Sequence, residues 1–115
     1  KKIKKVILVE SIGDMLALWQ AGYRHVMVTF GTEISLSIIN LILTLDPDQI
    51  ILSFNDDSGR GDAGNNAAKK EYKKLSKYFD QNQLRICLPT GQNDFGGMSS
   101  DEILAWGNIN NVETI

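Results

Sequence analysis

The 115-residue sequence has one cysteine, one histidine, almost no net charge and no long apolar run. Cys87 has no partner for an internal disulfide and lies in an apolar run, so we expect a small buried side chain there. His25 lies at the start of a predicted strand, where a structural role fits better than a catalytic one. No apolar stretch approaches the roughly 20 residues that cross a bilayer, and no signal-peptide pattern opens the chain. These absences predict a cytoplasmic protein that spans no membrane.

The formal charge of −2 exerts no global attraction toward nucleic acid, but the charges are unevenly distributed. Acids gather at the ends of predicted strands, whereas lysines cluster in two places. These clusters are most simply solvated surface, although a local basic surface can still contact phosphate. Their members are Lys1, Lys2, Lys4 and Lys5 at the start of the sequence and Lys69, Lys70, Lys73, Lys74 and Lys77 further along.

The length predicts a single domain over residues 1–115, with no internal repeat. The sequence does not begin with methionine, so we expect a fragment of a larger protein. Residues 108–115 show no usable hydrophobic period and are expected to form a tail or linker.

Hydrophobic patterning predicts strands that alternate with helices, over residues 5–10, 25–30, 49–54 and 84–88. Strands separated by helices of this length indicate right-handed crossovers. We therefore predict a three-layer α/β/α fold with a parallel, mainly four-stranded sheet.

Polar caps and glycines delimit the predicted helices. The expected boundaries are Ser11 and Gly22, Thr32 and Asp46, about Gly61 and Phe79, and Ser99 and Gly107. Apolar residues at helical spacing define the expected inner faces. The first helix contributes Ile12, Met15, Leu16 and Trp19; the second Ile34, Ile38, Leu41, Ile42 and Leu45; the third Ala68, Tyr72, Leu75 and Phe79; the fourth Ile103, Leu104 and Trp106.

Acidic residues follow three of the predicted strands. Glu10 ends the first strand, Asp56 and Asp57 end the third, and Asp94 lies in the loop after the fourth. Ligands of open α/β sheets bind beyond the carboxyl ends of parallel strands, so these acids are expected to meet. Crowded carboxylates repel one another unless a cation or a proton joins them, and hard oxygen ligands suit Mg²⁺ or Mn²⁺. The sequence therefore predicts a divalent-metal site. Asp14, one turn into the first helix, either points toward this site or serves only as a helix-capping partner.

Several segments, in order along the chain, resemble the motifs of Toprim domains. Residues 10–14 resemble the first motif, a strand-terminal Glu with an Asp four residues later, and 31–32 are similar to the small-residue turn of the family. Residues 55–57 resemble the Asp-x-Asp motif, and 63–64 resemble the start of the helix that follows it. Residues 88–94 are similar to the Leu-Pro-x-Gly-x-Asp segment of bacterial replicative primases and phage primase-helicases.

The sequence departs from the Toprim pattern in two main places. Asn55 occupies the first position of the Asp-x-Asp motif, so either its role passes to Asp56 or the site has one carboxylate fewer. An asparagine can still coordinate a cation through its amide oxygen, but without charge. The loop from Asp57 to Ala63 is longer than usual and contains Arg60.

The resemblance implies divalent-metal-dependent phosphoryl transfer on nucleic acid, as the catalytic Toprim domain of a DNA primase that makes RNA primers in DNA replication. Mg²⁺ or Mn²⁺ ions would join carboxylates to phosphate oxygens and orient an in-line displacement. Glu10 would either bind the metal or move a proton as general acid or base. The implied metal ligands are Glu10, Asn55, Asp56, Asp57 and Asp94, and the implied nucleotide or nucleic-acid contacts are Asp14, Gly31, Thr32, Arg60 and Lys69.

The resemblance also implies partners, namely DNA template, nucleotides, and helicase or zinc-ribbon modules in the parent protein. An isolated domain of this kind is expected to bind metal and nucleotide weakly and to polymerise nothing. The setting would be the cytoplasm, or the host cytoplasm for a phage protein.

Three alternatives remain open at this stage. One is a small Toprim nuclease, and another is a non-catalytic Toprim module, which Asn55 favours. The third is a Mg²⁺-binding phosphoacceptor domain of receiver type, which usually has two acids after its first strand and a fifth strand after a lysine. The sequence offers only Glu10 after the first strand, and no fifth strand is visible.

Overall fold

The computed structural model describes residues 4–31, 33–55, 63–92 and 94–114. These residues form a parallel four-stranded sheet in the order β2-β1-β3-β4, with helices on both faces, so the predicted three-layer α/β/α fold is confirmed. The strands are β1 (Lys5–Val9), β2 (Val26–Val28), β3 (Gln49–Leu52) and β4 (Leu84–Ile86). The helices are α1 (Ile12–Ala21), α2 (Leu36–Leu45), α3 (Ala63–Leu75) and α4 (Ser100–Asn110), and a 3₁₀ turn (Phe95–Gly97) lies in the loop before α4.

Alternating side chains of the central strands pack against different helices. Val6 and Leu8 of β1 lie in a core with α2 and α3, whereas Ile7 and Val9 lie in a second core with α1 and α4. Both faces are covered, which explains why these strands read as continuous apolar runs in the sequence. Cys87 is buried in the second core as expected, and this burial raises the pKa of its thiol.

The strands are shorter than predicted at their carboxyl ends, although the ladder of hydrogen bonds continues beyond them. Thr29 N donates to Val9 O at 2.9 Å, and Ser53 N donates to Leu8 O at 2.9 Å. Consequently the chain leaves β1, β2 and β3 side by side at one edge, here called the carboxyl edge.

The predicted inner face of α1 is wrong for most of its residues. Ile12, Leu16 and Trp19 are exposed by 50%, 54% and 44%, whereas the fully buried positions are Asp14 and Leu18. Hydrophobic patterning misses this orientation because the inner line of the helix contains an acid, whose hydrogen-bond partners are described below.

The boundaries of α2 also differ from the prediction. Its N-cap is Ser35, whose hydroxyl accepts the N–H of Ile38 at 3.3 Å, and not Thr32, which lies outside the described residues. Ile34 therefore precedes the helix, although it is buried as predicted. Leu41 is half exposed, and Ile39 is buried in its place.

Helix α3 ends at Leu75, before the predicted Phe79. The predicted inner residues are confirmed, since Ala68, Leu75 and Phe79 are buried and Tyr72 packs partly buried against them. The same line also includes a buried acid, Glu71, which the prediction missed.

Helix α4 begins as predicted, with Ser99 and Glu102 forming a reciprocal capping box. Its predicted end at Gly107 is wrong, because the helix continues to Asn110. Gly107 serves close packing instead: a Cβ there would lie 2.8 Å from the carbonyl oxygen of Val112.

The chain beyond α4 packs onto the domain at Val112, which is buried and accepts the hydroxyl of Tyr23 at 2.8 Å. The expected tail from residue 108 is thus partly helical and partly packed. Leu104, predicted to face inward, is 39% exposed. None of the helices among the described residues has the length and apolar character needed to cross a membrane.

Candidate active site at the carboxyl edge

Glu10 follows the strand that lies between β2 and β3, so it occupies the middle of the carboxyl edge. Its Oε2 accepts the backbone N–H of Asn55 at 2.7 Å. This bond joins the end of β1 to the segment that leaves β3, where the Asp-x-Asp-like motif begins. Glu10 and Asn55, both predicted to be site residues, are therefore brought together.

Asp14 is buried, with only 2% of its surface exposed. Its Oδ1 accepts the N–H of Gly96 at 3.1 Å, and its Oδ2 accepts the hydroxyl of Ser11 at 3.0 Å. Burial raises the pKa of this carboxyl, and the charge of Asp94 acts in the same direction, whereas the hydrogen bonds from Gly96 and Ser11 oppose the shift. Asp14 therefore links the start of α1 to the loop after β4.

Asp94 caps the 3₁₀ turn, since its Oδ1 accepts the N–H of Gly97 at 2.9 Å. A Cβ placed on Gly96 would lie 3.6 Å from Asp94 Oδ1 and 3.8 Å from Asp14 Oδ1. The structure thus brings Asp94 close to Asp14. Hydrogen bonds within the protein already engage both oxygens of Asp14 and Oδ1 of Asp94.

The remaining predicted site residues fall into two groups. Gly31 lies in the turn after β2 with a φ of 140°, a left-handed conformation that glycine adopts readily, and Lys69 is exposed on α3. The others, Thr32, Asp56, Asp57 and Arg60, lie outside the described residues.

The donor chemistry of the carboxyl edge suits a hard divalent cation. Glu10 and Asn55 supply carboxylate and amide oxygens, and the buried Oγ of Ser53 has no hydrogen-bond partner within the described part of the chain. Within that part, no three acidic, histidine or cysteine side chains come together as a metal site. The described residues therefore fit such an ion in kind and supply an incomplete ligand set.

Sequence reasoning missed a pair of side chains on α3 that hold the segment between β2 and α2. Glu71 Oε1 accepts the N–H of Ile34 at 2.7 Å, and Lys74 Nζ donates to Ile34 O at 2.6 Å. Lys74 Nζ lies 3.5 Å from Glu71 Oε1, so the two side chains also form an ion pair. A usable signal was present, because Glu71 is three residues after Ala68 and four before Leu75, both on the predicted inner face.

Comparisons with known proteins identify relatives in sequence and in structure. The chain is 38% identical over 76 residues to the DNA primases of Helicobacter pylori strains ATCC 700392 / 26695 and J99 / ATCC 700824. These matches cover 66% of the chain but only 13% of each primase.

A crystal structure of a DNA primase domain from Pseudomonas aeruginosa superimposes on 93% of the chain and 33% of its own length, with a TM-score of 0.73. At 24% identity this likeness supports the fold alone. Residues 4–86, well over half of the chain, match the Toprim domain model. The chain therefore belongs to the Toprim domain family.

Proposed function

We propose that this domain transfers phosphoryl groups on nucleic acid with the help of a divalent metal, as the catalytic Toprim domain of a DNA primase. The observation that carries the proposal is the placement of Glu10 at the centre of the carboxyl edge, bound to Asn55 N–H one residue before Asp56. The similarity to the H. pylori primases favours primer synthesis over other Toprim reactions. Because the chain spans 13% of those primases, we further propose that it is one domain of a larger protein.

The proposed ligands for Mg²⁺ or Mn²⁺ are Asp57, Asp56, Asn55 and Asp94, with Glu10 as a further ligand or as the group that moves a proton. When bound, the ion would offset the charge that develops on phosphate oxygens in an in-line displacement. The bond from Asn55 N–H engages one oxygen of Glu10 and orients this side chain. Gly31, Thr32, Arg60 and Lys69 are the proposed contacts to nucleotide or DNA. Asp14, also expected to make such a contact, is buried and hydrogen-bonded through both oxygens, so we propose instead that it positions the loop after β4.

A second candidate function is that of a non-catalytic Toprim module. The neutral Asn55 in place of an acid favours it, because an amide oxygen brings no charge to a cation and so binds it more weakly than a carboxylate. The receiver-type alternative finds no support, since the chain matches the Toprim family.

Titration calorimetry with Mg²⁺ and Mn²⁺ separates the two candidates. The variants are Asp57→Ala and Glu10→Gln, and the second keeps an acceptor for Asn55 N–H while it removes the charge. Asp80→Ala is the matched control, because Asp80 is an exposed acid at the opposite edge of the sheet. We expect saturable binding that is lost in Asp57→Ala, weakened in Glu10→Gln and kept in Asp80→Ala.

A folded wild type that binds neither ion at millimolar concentration would contradict the catalytic proposal and favour the non-catalytic module. If metal binds, Mn²⁺-dependent primer synthesis by the parent protein and hydrolysis of single-stranded DNA then distinguish a primase from a nuclease. Hydrolysis without primer synthesis would favour the nuclease.

A further inference from the structure

Phe30 combines two unusual properties. Its side chain is 75% exposed, more than any other large hydrophobic side chain in the described part of the chain, and its φ is 57°. Of the three non-glycine residues described with positive φ, Asp46 and Asn111 are helix C-caps, where this conformation is common. Phe30 caps no helix, and for a bulky residue this conformation is a true outlier. Neither burial nor backbone preference accounts for a phenylalanine here.

Phe30 lies at the carboxyl edge, next to the candidate active site. Val28 of β2 pairs with Val9 of β1, and Thr29 continues this pairing through its N–H to Val9 O at 2.9 Å and its hydroxyl to the same oxygen at 3.2 Å. Since Glu10 directly follows Val9, Phe30 leaves the sheet beside the segment that begins with Glu10.

Hydrogen bonds restrain the backbone before and after Phe30. Before it, the hydroxyl of Thr29 lies within hydrogen-bond distance of the carbonyl oxygens of Val9 and Gly31, which share its single proton. After it, Glu71 and Lys74 of α3 bind the N–H and the carbonyl oxygen of Ile34. Glu71 is only 1% exposed, so this anchor is inside the protein. The described backbone on either side of Phe30 is therefore hydrogen-bonded to β1 and to α3, and such restraint lowers the entropic cost of binding a ligand.

We propose that Phe30 is a stacking platform for a nucleobase whose phosphates are held at the Glu10 edge. This inference rests on the proposed phosphoryl-transfer function and identifies the part of the substrate that this edge would bind besides phosphate. An aromatic ring stacks on any base, because every base has a π-face. A phenylalanine therefore provides affinity without sequence preference, as a template-directed enzyme requires.

The test compares ligands with and without a base. Binding of Mn²⁺-ATP, Mn²⁺-tripolyphosphate and a short single-stranded DNA is measured on the wild type and on Phe30→Ala, Phe30→Gly and Phe30→Trp. Phe30→Gly suits the positive φ, so it removes the ring without backbone strain and keeps the fold. Tyr78→Ala is the control, because Tyr78 is a 46% exposed aromatic residue between α3 and β4, at the opposite edge.

We expect Phe30→Ala and Phe30→Gly to weaken the binding of a base-bearing ligand about 5- to 100-fold. Tripolyphosphate binding should stay unchanged, Phe30→Trp should keep the affinity, and Tyr78→Ala should have no effect. A loss confined to ATP identifies the base of the incoming nucleotide, and a loss confined to DNA identifies a base of the strand.

Two results would overturn the inference while leaving phosphoryl transfer intact: unchanged binding of both base-bearing ligands, or an equal loss of ATP and tripolyphosphate affinity. A folded wild type that binds neither Mn²⁺, ATP nor DNA would overturn the proposed function together with it.

Discussion

Replacing Glu71 tests how strongly α3 holds the segment between β2 and α2. Glu71→Ala removes the acceptor of the Ile34 N–H, which lies 2.7 Å from Oε1, and leaves that N–H without its partner in a buried residue. It also takes the nearer carboxylate away from Lys74, whose other acidic neighbour, Glu33, is 4.0 Å distant. Glu71→Gln keeps an acceptor oxygen of nearly the same shape and removes only the charge.

The expected cost follows from these two contacts. A buried hydrogen bond to a charged acceptor contributes about 1.5–3 kcal/mol. The ion pair adds about 1 kcal/mol at most, because Lys74 is 32% exposed and its charge is screened by water. We therefore expect Glu71→Ala to lower the free energy of unfolding by about 1.5–4 kcal/mol and Glu71→Gln by about 1 kcal/mol or less. The first value is a large part of the roughly 5–15 kcal/mol that stabilises a typical domain.

Urea unfolding measures the global cost, and native-state hydrogen exchange at the Ile34 amide reports the local effect. Lys73→Ala, which removes an exposed charge from the same helix, should stay within about 0.5 kcal/mol of the wild type. The reasoning would be refuted by a Glu71→Ala variant as stable as this control, or by an equal loss in Glu71→Gln and Glu71→Ala.

Three further predictions concern residues inside the protein. Because the pKa of Asp14 is raised in the folded state, the wild type binds a proton more tightly than its unfolded chain and loses stability as the pH rises from about 4 through that raised pKa. Asp14→Asn should thus gain stability relative to the wild type as the pH rises to about 8. Urea unfolding of both proteins at several pH values measures this difference in unfolding free energy, and a difference that does not change with pH would contradict the prediction. Tyr23→Phe should cost about 1–2 kcal/mol by losing its 2.8 Å bond to Val112 O. Gly107→Ala should lower the melting temperature, because crowding of about 1–3 kcal/mol against Tyr23 and Val112 outweighs a helix-propensity gain of about 1 kcal/mol; an unchanged melting temperature would argue against this packing.

The sheet could be predicted because its strands are buried on both faces and thus appear as uninterrupted apolar runs. The capping box of Ser99 and Glu102 was equally readable, since both partners lie within one turn. The inner face of α1 was not readable, although its caps Ser11 and Gly22 were, because the burial of Asp14 depends on a hydrogen bond from Gly96, 82 residues away in the chain. The role of Gly107 could not be predicted either. A glycine that ends a helix and a glycine that leaves space for a tyrosine hydroxyl cannot be distinguished from the sequence.

Of the candidate site, the sequence predicted that Glu10 and Asn55 lie at the carboxyl edge, but not which groups they bind there. Strand order and register place Glu10 beside the ends of β2 and β3, as expected from parallel topology. The bond from Asn55 N–H to Glu10 and the capping bond at Asp94 depend on backbone conformation beyond the strands, which periodicity does not encode. Phe30 was missed because its distinctive feature is a dihedral angle.

Buried and half-buried acids at this edge share a structural task that complicates the interpretation of activity data. Three carboxylates each accept a backbone N–H from a different loop that follows a strand: Glu10 from Asn55, Asp14 from Gly96, and Glu71 from Ile34. Alanine at any of these positions would release a loop as well as remove a charge, so lost activity would not by itself identify a metal ligand. The amide variants keep an acceptor and remove only the charge. A residue that acts chemically should lose activity in both variants, whereas a residue that only positions its loop should be rescued by the amide.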